Sequence, residues 1–269
     1  MTQPARPTDA ANQRSMASKD TGRTDIQRST GVTGTERTDI GRSTGSTGTG
    51  RTDVRTAWRW TAALVLPIGP AAVALLRYLL PYNTTDDAPT IVDKIVGNLD
   101  RSSLVLWLAY VAILTLVPGA YFVGRLTRRG TPWLTGIALF LMIPGYLSLP
   151  WTASSDVFTW SAGTAGLDPA MITKAAEATH GSTDVAGLVF VVGHVIGTVL
   201  LGIAIWRSRI VGRWAALAVA VSQPVHFVAA VVVSSHLLDL IGWGLQAVGF
   251  AAVGWAILRM RDDEWQPSS

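Results

Sequence analysis

Two histidines lie inside apolar segments that should exclude ionisable side chains. His194 stands in the segment VFVVGHVIGTVLLG and His226 in AVAVSQPVHFVAAVVV, with a cluster of arginines between the two segments. An ionisable residue in such a segment faces other protein groups or marks a functional site. Two imidazoles could ligate haem iron or a metal ion, pass a proton, or hydrogen-bond a small ligand such as a quinone.

Gln246 is predicted to lie at the same depth in its apolar segment as the two histidines do in theirs. His194, His226 and Gln246 each lie twelve or thirteen residues from the arginine-rich end of their segment. At the helical rise per residue, all three lie roughly 18–20 Å from that end. They are therefore candidates for a cofactor-binding site. The favoured interpretation is that they hydrogen-bond to one another between helices.

A second pair of chemically active residues lies between the last two apolar segments. His236 and Asp239 are three residues apart, so a helix would place them on one face. They are candidate ligands for a cation, although an ion pair that closes the turn is favoured. No catalytic residue is predicted, because the sequence has no H-E-x-x-H or Walker A motif, and its G-x-S-x-G match at residues 41–45 lies in the repeated polar tail and not between a strand and a helix. The chain has no cysteine, which excludes disulfides and thiolate chemistry.

The elements that would position these residues are membrane-spanning helices. Hydrophobic residues form 49% of the chain and charged residues only 15%, and the mean hydropathy is +0.33. Six uncharged stretches reach the length of about 20 residues that crosses a bilayer as a helix. The predicted fold is an all-α polytopic bundle. Its spans cover about 59–80, 103–124, 132–151, 185–206, 214–234 and 238–258.

Basic residues in the short loops predict the orientation of the bundle. Eleven arginines flank one side of the predicted spans, against three basic residues on the other. Because loops rich in Lys and Arg stay in the cytoplasm, both termini are predicted to be cytoplasmic. The eleven are Arg51, Arg55, Arg59, Arg125, Arg128, Arg129, Arg207, Arg209, Arg213, Arg259 and Arg261. Arg77, near the other end of the first span, is predicted to extend outward to the interface.

Three regions follow from composition. Residues 1–57 carry a repeat of 14 residues, RTDIQRSTGVTGTE followed by RTDIGRSTGSTGTG, and are predicted to form a disordered cytoplasmic tail. Residues 58–259 form the six-helix domain, and 260–269 a short cytoplasmic tail. In the outer loops, short helices are predicted over 168–181, with Asp168 as N-cap, and over 91–99. The favoured interpretation of both is a cap over the bundle rather than a substrate gate, and the helix over 91–99 could also lie on the outer leaflet.

Glycines predict close packing beside the first histidine. Gly193 and Gly197 form a G-x-x-x-G pair around His194, a spacing that lets a neighbouring helix approach closely. Gly242, Gly249 and Gly254 mark the last span in the same way.

The last third of the chain resembles a known group of membrane proteins. The stretches GHVIGTVLLGIAIWRSRIVGRWAALAVAVSQPVHF and LDLIGWGLQAVGFAAVGWAIL are similar to a family of uncharacterised multi-pass membrane proteins of high-GC Gram-positive bacteria, grouped as a domain of unknown function. The resemblance covers roughly residues 58–259. It implies a helical bundle in the plasma membrane, and it implies no activity and no catalytic residue.

The favoured hypothesis is a non-enzymatic protein of the bacterial plasma membrane, permease-like or accessory, with a polar layer inside the bilayer. Two alternatives remain open. One is a haem- or metal-binding redox protein that uses His194 and His226, and the other is an envelope sensor. No cofactor is predicted under the favoured hypothesis. The predicted partners are the lipid bilayer, a small ligand of unspecified class and a second copy of the chain, but not nucleic acid, because the arginines lie at membrane flanks.

Overall fold

The computed structural model describes residues 49–265. Residues 1–48, most of the tail predicted over residues 1–57, therefore lie outside the described residues. The described chain is helical throughout, with no strand between residues 49 and 265. The helices are α1 (Thr49–Leu79), α2 (Ala88–Val96), α3 (Leu99–Thr127), α4 (Pro132–Thr164), α5 (Pro169–Glu177), α6 (Ser182–Ser208), α7 (Arg213–Phe227), α8 (His236–Arg259) and α9 (Asp262–Trp265). A π-helical turn (Val228–Val233) continues α7.

Six of these helices are long and apolar enough to cross a membrane, which confirms the predicted all-α polytopic fold. They are α1 from Val54 onward, α3, α4, α6, α7 with the π-helical turn, and α8. The main difference from the predicted spans is in α4, which continues past Trp151 to Thr164. Asp156 lies within this extension, and its carboxylate accepts a hydrogen bond from the Tyr82 hydroxyl.

The six long helices form a closed ring. Each packs against the next long helix in the chain, and α8 returns to pack against α1. The loops between α3 and α4 and between α6 and α7 lie at one end of the ring, here called the arginine end. The other end is covered by α2 and α5, which pack on each other and on α4, and is here called the capped end.

Small residues set the distance between neighbouring helices, as the G-x-x-x-G pattern predicts. A Cβ atom on Gly193 would lie 2.5 Å from the Leu141 carbonyl oxygen of α4, and one on Gly197 would lie 3.0 Å from the Ala138 carbonyl oxygen. Gly254 of α8 approaches Ala63 of α1 equally closely. Backbones this close gain dispersion contacts that larger side chains would prevent.

Both helices predicted for the outer loops are present at the capped end. The first is α2, and its Val92 is buried against Ala162 and Ile172, which agrees with the predicted cap over the bundle and not with a helix lying on the leaflet. The predicted helix after Asp168 is also present, and the Asp168 carboxylate accepts a hydrogen bond from the Ala170 amide. That helix ends at Glu177, before the predicted residue 181.

The chain after α8 packs back on the arginine end. Within the predicted C-terminal tail, α9 buries Trp265, whose ring lies 5.1 Å from the Arg125 guanidinium and 6.3 Å from the Phe122 ring. The Arg129 guanidinium donates a hydrogen bond to the Glu264 carbonyl. The arginines of this end therefore hold the end of the described chain as well as marking the membrane flank.

Candidate functional site

A cavity of about 370 Å³ lies inside the ring, in the half nearer the capped end. All six long helices line it, α7 through His226 and Phe227 together with the π-helical turn that continues it, and most lining side chains are apolar. The ionisable side chains that line it are Arg77, Tyr82, Asp156, His194 and His226. The two sequence-predicted histidines thus meet at one wall of an internal space.

His194 and His226 lie side by side against an aromatic residue from a third helix. Their ring centroids are 5.5 Å apart. The Trp243 ring stacks on His194 at 5.7 Å and meets His226 edge-on at 5.4 Å. The Phe190 ring covers the other face of His194 at 4.2 Å. Aromatic packing of this kind fixes the orientation of both imidazoles.

A series of contacts from Arg77 through Asp239 holds His226 in place. His226 Nδ1 lies 2.5 Å from Asp239 Oδ1, and Arg77 Nε donates a hydrogen bond to Asp239 Oδ2 at 2.5 Å. Asp239 is buried, with 1% of its surface exposed, so its charge is balanced by Arg77 rather than by water. A carboxylate on Nδ1 is the common way that proteins set the tautomer of a functional histidine.

The contacts among Arg77, Asp239 and His226 differ from two arrangements that the sequence predicts. Arg77 does not extend outward, because its side chain turns to Asp239. The predicted His236–Asp239 ion pair is also replaced, since His236 Nδ1 donates to the Arg77 carbonyl oxygen at 2.9 Å. His236 and Asp239, the candidate cation ligands, therefore have different partners. No group of three His, Asp or Glu residues that could hold a metal ion occurs within residues 49–265.

His194 is held by its own helix and keeps one nitrogen without a partner. Its Nδ1 lies 2.5 Å from the Phe190 carbonyl oxygen, which can only accept, so Nδ1 carries the proton. In the neutral ring Nε2 then carries a lone pair. His194 is 1% exposed, and Nε2 has no hydrogen-bond partner among the described residues. A buried acceptor without a partner costs about 1–3 kcal/mol.

A second polar group faces the cavity from the capped end. The Tyr82 hydroxyl donates to Asp156 Oδ2 at 2.7 Å, and both residues line the cavity. Burial, and next the negative charge of Asp156, raise the pKa of Tyr82 well above its usual 10.0. The hydroxyl therefore stays protonated and remains the donor to this carboxylate.

Gln246 belongs to a separate network and does not contact the histidines. Gln223 Nε2 donates to Gln246 Oε1 at 2.6 Å, and Gln246 Nε2 donates to the Tyr146 hydroxyl at 3.1 Å. The three side chains are buried and join α4, α7 and α8 one turn nearer the arginine end. The predicted bonds between Gln246 and the histidines are replaced by this network.

Trp243, Tyr82 and Asp156 are the site residues that sequence reasoning missed. Trp243 lies one turn before Gln246 on the same helix, and its position between two glycines in GWG is the only local signal. Tyr82 and Asp156 were assigned to loops outside the spans. Their pairing depends on the extension of α4, which periodicity does not reveal.

The packing of Trp243 bears on the haem hypothesis. A bis-histidine haem places its macrocycle between the two imidazoles, each of which ligates the iron. Here the Trp243 ring contacts both imidazoles, and their centroids are 5.5 Å apart. A macrocycle could lie between them only if Trp243 moved away.

The comparisons with known proteins add no assignment to this geometry. No family model matches the chain, and no curated protein or solved structure matches it significantly. The six apolar helices and the cavity within their ring are consistent with an integral membrane protein that has an internal polar site.

Proposed function

We propose that this protein is a non-enzymatic, permease-like or accessory protein of the bacterial plasma membrane that binds a small apolar molecule bearing a hydroxyl group. The observation that carries the proposal is the unpartnered Nε2 atom of His194, which belongs to a buried side chain on the wall of the cavity. A ligand that donates a hydrogen bond to this atom would relieve the cost of burying it.

The polar groups at this wall favour a hydroxyl over other head groups. His194 offers an acceptor at Nε2, and neutral His226, with its Nδ1 proton hydrogen-bonded to Asp239, would offer a second at Nε2. The Trp243 Nε1–H is a buried donor without a partner among residues 49–265. A hydroxyl both donates and accepts, whereas an ether only accepts and an ammonium only donates.

The charges around the cavity disfavour an anionic ligand. Arg77 is neutralised by Asp239 at 2.5 Å, and the Asp156 carboxylate, which accepts a hydrogen bond from the neutral Tyr82 hydroxyl, adds a negative charge. The volume of about 370 Å³ falls in the range of small-molecule sites, and the mostly apolar lining suits an apolar body. The hydrophobic effect would then supply most of the affinity, and the histidines the orientation.

The proposed orientation places the arginine end in the cytoplasm. The arginines of the α3–α4 and α6–α7 loops lie together at this end, with Arg259 at the end of α8. Clustering of arginines at one end of a bundle is the pattern of cytoplasmic loops. The cavity would then lie in the half of the membrane nearer the cell exterior.

Substitution of His194 tests the proposal with 2-naphthol as the ligand. His194→Asn keeps a donor for the Phe190 carbonyl but removes the acceptor at Nε2, whereas His194→Gln retains an acceptor near that position. We expect the Asn variant to weaken binding about tenfold, equivalent to one hydrogen bond of about 1.4 kcal/mol, and the Gln variant to weaken it less. Binding is measured in nanodiscs by energy transfer from tryptophan to naphthol.

Matched controls separate the site from general partitioning into lipid. His180→Asn alters an exposed histidine outside the cavity and should leave binding unchanged. 2-Methoxynaphthalene and 2-naphthoate, which lack a neutral hydroxyl, should bind the native protein more weakly than 2-naphthol. Equal binding of all three compounds, or equal binding by the Asn and native proteins, would contradict the proposal. A Soret band in the purified protein that both His194→Asn and His226→Asn abolish would favour the haem hypothesis instead.

A further inference from the structure

One side of the cavity is lined by apolar side chains that are more than a third exposed. Val191 of α6 is 38% exposed, Phe227 of α7 is 40% exposed and Val231 of the π-helical turn is 52% exposed, and all three line the cavity. The lining residues from α3 and α4 are buried or half-buried. The cavity wall is therefore thinnest between α6 and the π-helical turn.

The packing of α6 and α7 explains this opening. Near the arginine end the helices touch, because a Cβ atom on Gly202 would lie 2.6 Å from the Ala220 amide nitrogen. Toward the capped end α6 packs on α4, where Gly145 approaches the Gly193 backbone, while the π-helical turn has α7 and α8 as its main neighbours. The two helices therefore separate beyond the level of the histidines.

The helix type changes at this point. Pro224 lacks an amide hydrogen, and the backbone becomes π-helical from Val228 to Val233. The turn ends at Ser234, which has a positive φ of 53°. Single π-helical turns within α-helices are frequent at functional sites.

The residues at the edges of the opening are apolar and lie within segments long and apolar enough to cross the membrane. Val191 belongs to the span Ser182–Ser208, and Phe227 and Val231 belong to the span Arg213–Val233. An opening framed in this way adjoins lipid chains rather than water. A molecule dissolved in the membrane could reach His194 and His226 without crossing a polar surface.

We propose that the ligand enters the cavity sideways from the membrane, through the opening between α6 and the π-helical turn. The ligand class is therefore a lipid-dissolved hydroxy compound taken from the leaflet next to the capped end. This inference rests on the proposed function, since it concerns access to the same site.

Gly187 provides a means to obstruct the opening with little effect on the fold. It lines the cavity one turn before Val191, and a Cβ atom added there would meet nothing within 4 Å. Gly136 of α4 is exposed and has equally open surroundings, so Gly136→Phe is the matched control. Phenylalanine adds no tryptophan to the energy-transfer signal.

The test is the kinetics of 2-naphthol binding in nanodiscs, followed by stopped-flow energy transfer. Gly187→Phe is expected to slow association and dissociation alike, by about tenfold, because obstruction of a route raises the barrier in both directions. The dissociation constant should stay close to that of the native protein, and Gly136→Phe should change neither rate.

A third variant tests the competing route. Ala153 borders both the cavity and a groove between α3 and α4, so Ala153→Phe obstructs that side. Unchanged rates in Gly187→Phe, or slowing in Ala153→Phe alone, would overturn the lateral route through α6 while leaving the proposed binding function intact. Failure of the native protein to bind 2-naphthol would instead refute the proposed function, and the route with it.

Discussion

Replacement of Asp239 with alanine is expected to lower the free energy of unfolding by about 3–5 kcal/mol, the typical cost of breaking a buried ion pair. Asp239 is 1% exposed, and its carboxylate contacts both Arg77 and His226. The variant would leave the Arg77 guanidinium largely buried without its counter-ion, at a side-chain exposure of 15%. It would also release His226 from its fixed orientation.

The effect can be measured as loss of thermal stability in detergent, with an exposed carboxylate as control. Asp184 occupies the first turn of α6, as Asp239 does in α8, but it is exposed. Asp184→Ala is therefore expected to change stability by less than about 0.5 kcal/mol. Equal stability of the Asp239→Ala and Asp184→Ala variants would contradict the ion-paired arrangement.

A double variant distinguishes loss of the pair from loss of packing. Arg77→Met combined with Asp239→Leu removes both charges and fills similar volume, and apolar replacement of a buried pair is often neutral or stabilising. We therefore expect the double variant to be more stable than Asp239→Ala alone. If it is equally unstable, the carboxylate contributes through its bond to His226 rather than through Arg77.

The fold was more predictable than the site because the two depend on different properties of the chain. Spans follow from the length and apolarity of continuous segments, since any such segment satisfies its backbone as a helix in lipid. Close packing at Gly193 also follows from local spacing. The end of α4 does not follow from the sequence in this way, because an uncharged run that stops at Asp156 marks the end of the apolar stretch, whereas the backbone helix continues to Thr164.

The partners of the polar side chains were only half predictable. Counting residues along helices gives depth, and it placed His194 and His226 at one level, where the structure brings their rings together. The count misplaced Gln246 by one turn. Trp243, three residues earlier on the same face of α8, contacts the histidines, whereas Gln246 lies one turn nearer the arginine end and bonds to Gln223.

The two polar layers have different physical roles. Gln223, Gln246 and Tyr146 are hydrogen-bonded in series and join three helices, although Gln223 Oε1 has no partner among residues 49–265. Such interhelical bonds contribute about 0.6–2 kcal/mol each to packing. The histidine layer is incompletely satisfied, since His194 Nε2 and Trp243 Nε1 lack partners among residues 49–265. The layers differ in position, because His194, His226 and Trp243 line the cavity, where a ligand could complete their hydrogen bonds, whereas Gln223, Gln246 and Tyr146 do not line it.

Substitution of Gly193 with leucine is expected to destabilise the protein by about 3 kcal/mol, at the upper end of the usual cost of overpacking. A Cβ atom at this position would lie 2.5 Å from the Leu141 carbonyl oxygen and 3.0 Å from the Gly145 Cα atom. Both neighbours are backbone atoms of α4, so neither can rotate away and the helices must separate. Because His194 is the next residue, binding of 2-naphthol should weaken as well.

Gly187→Leu is the matched control for this prediction, since it places the same side chain on the same helix in open space. It should retain native stability in thermal unfolding in detergent, or exceed it slightly, because leucine favours a helix more than glycine does. A Gly193→Leu variant as stable as Gly187→Leu would mean that α4 and α6 do not cross at glycine. In that case the packing of α6 against α4, which positions His194 at the cavity wall, would differ from that in the structure.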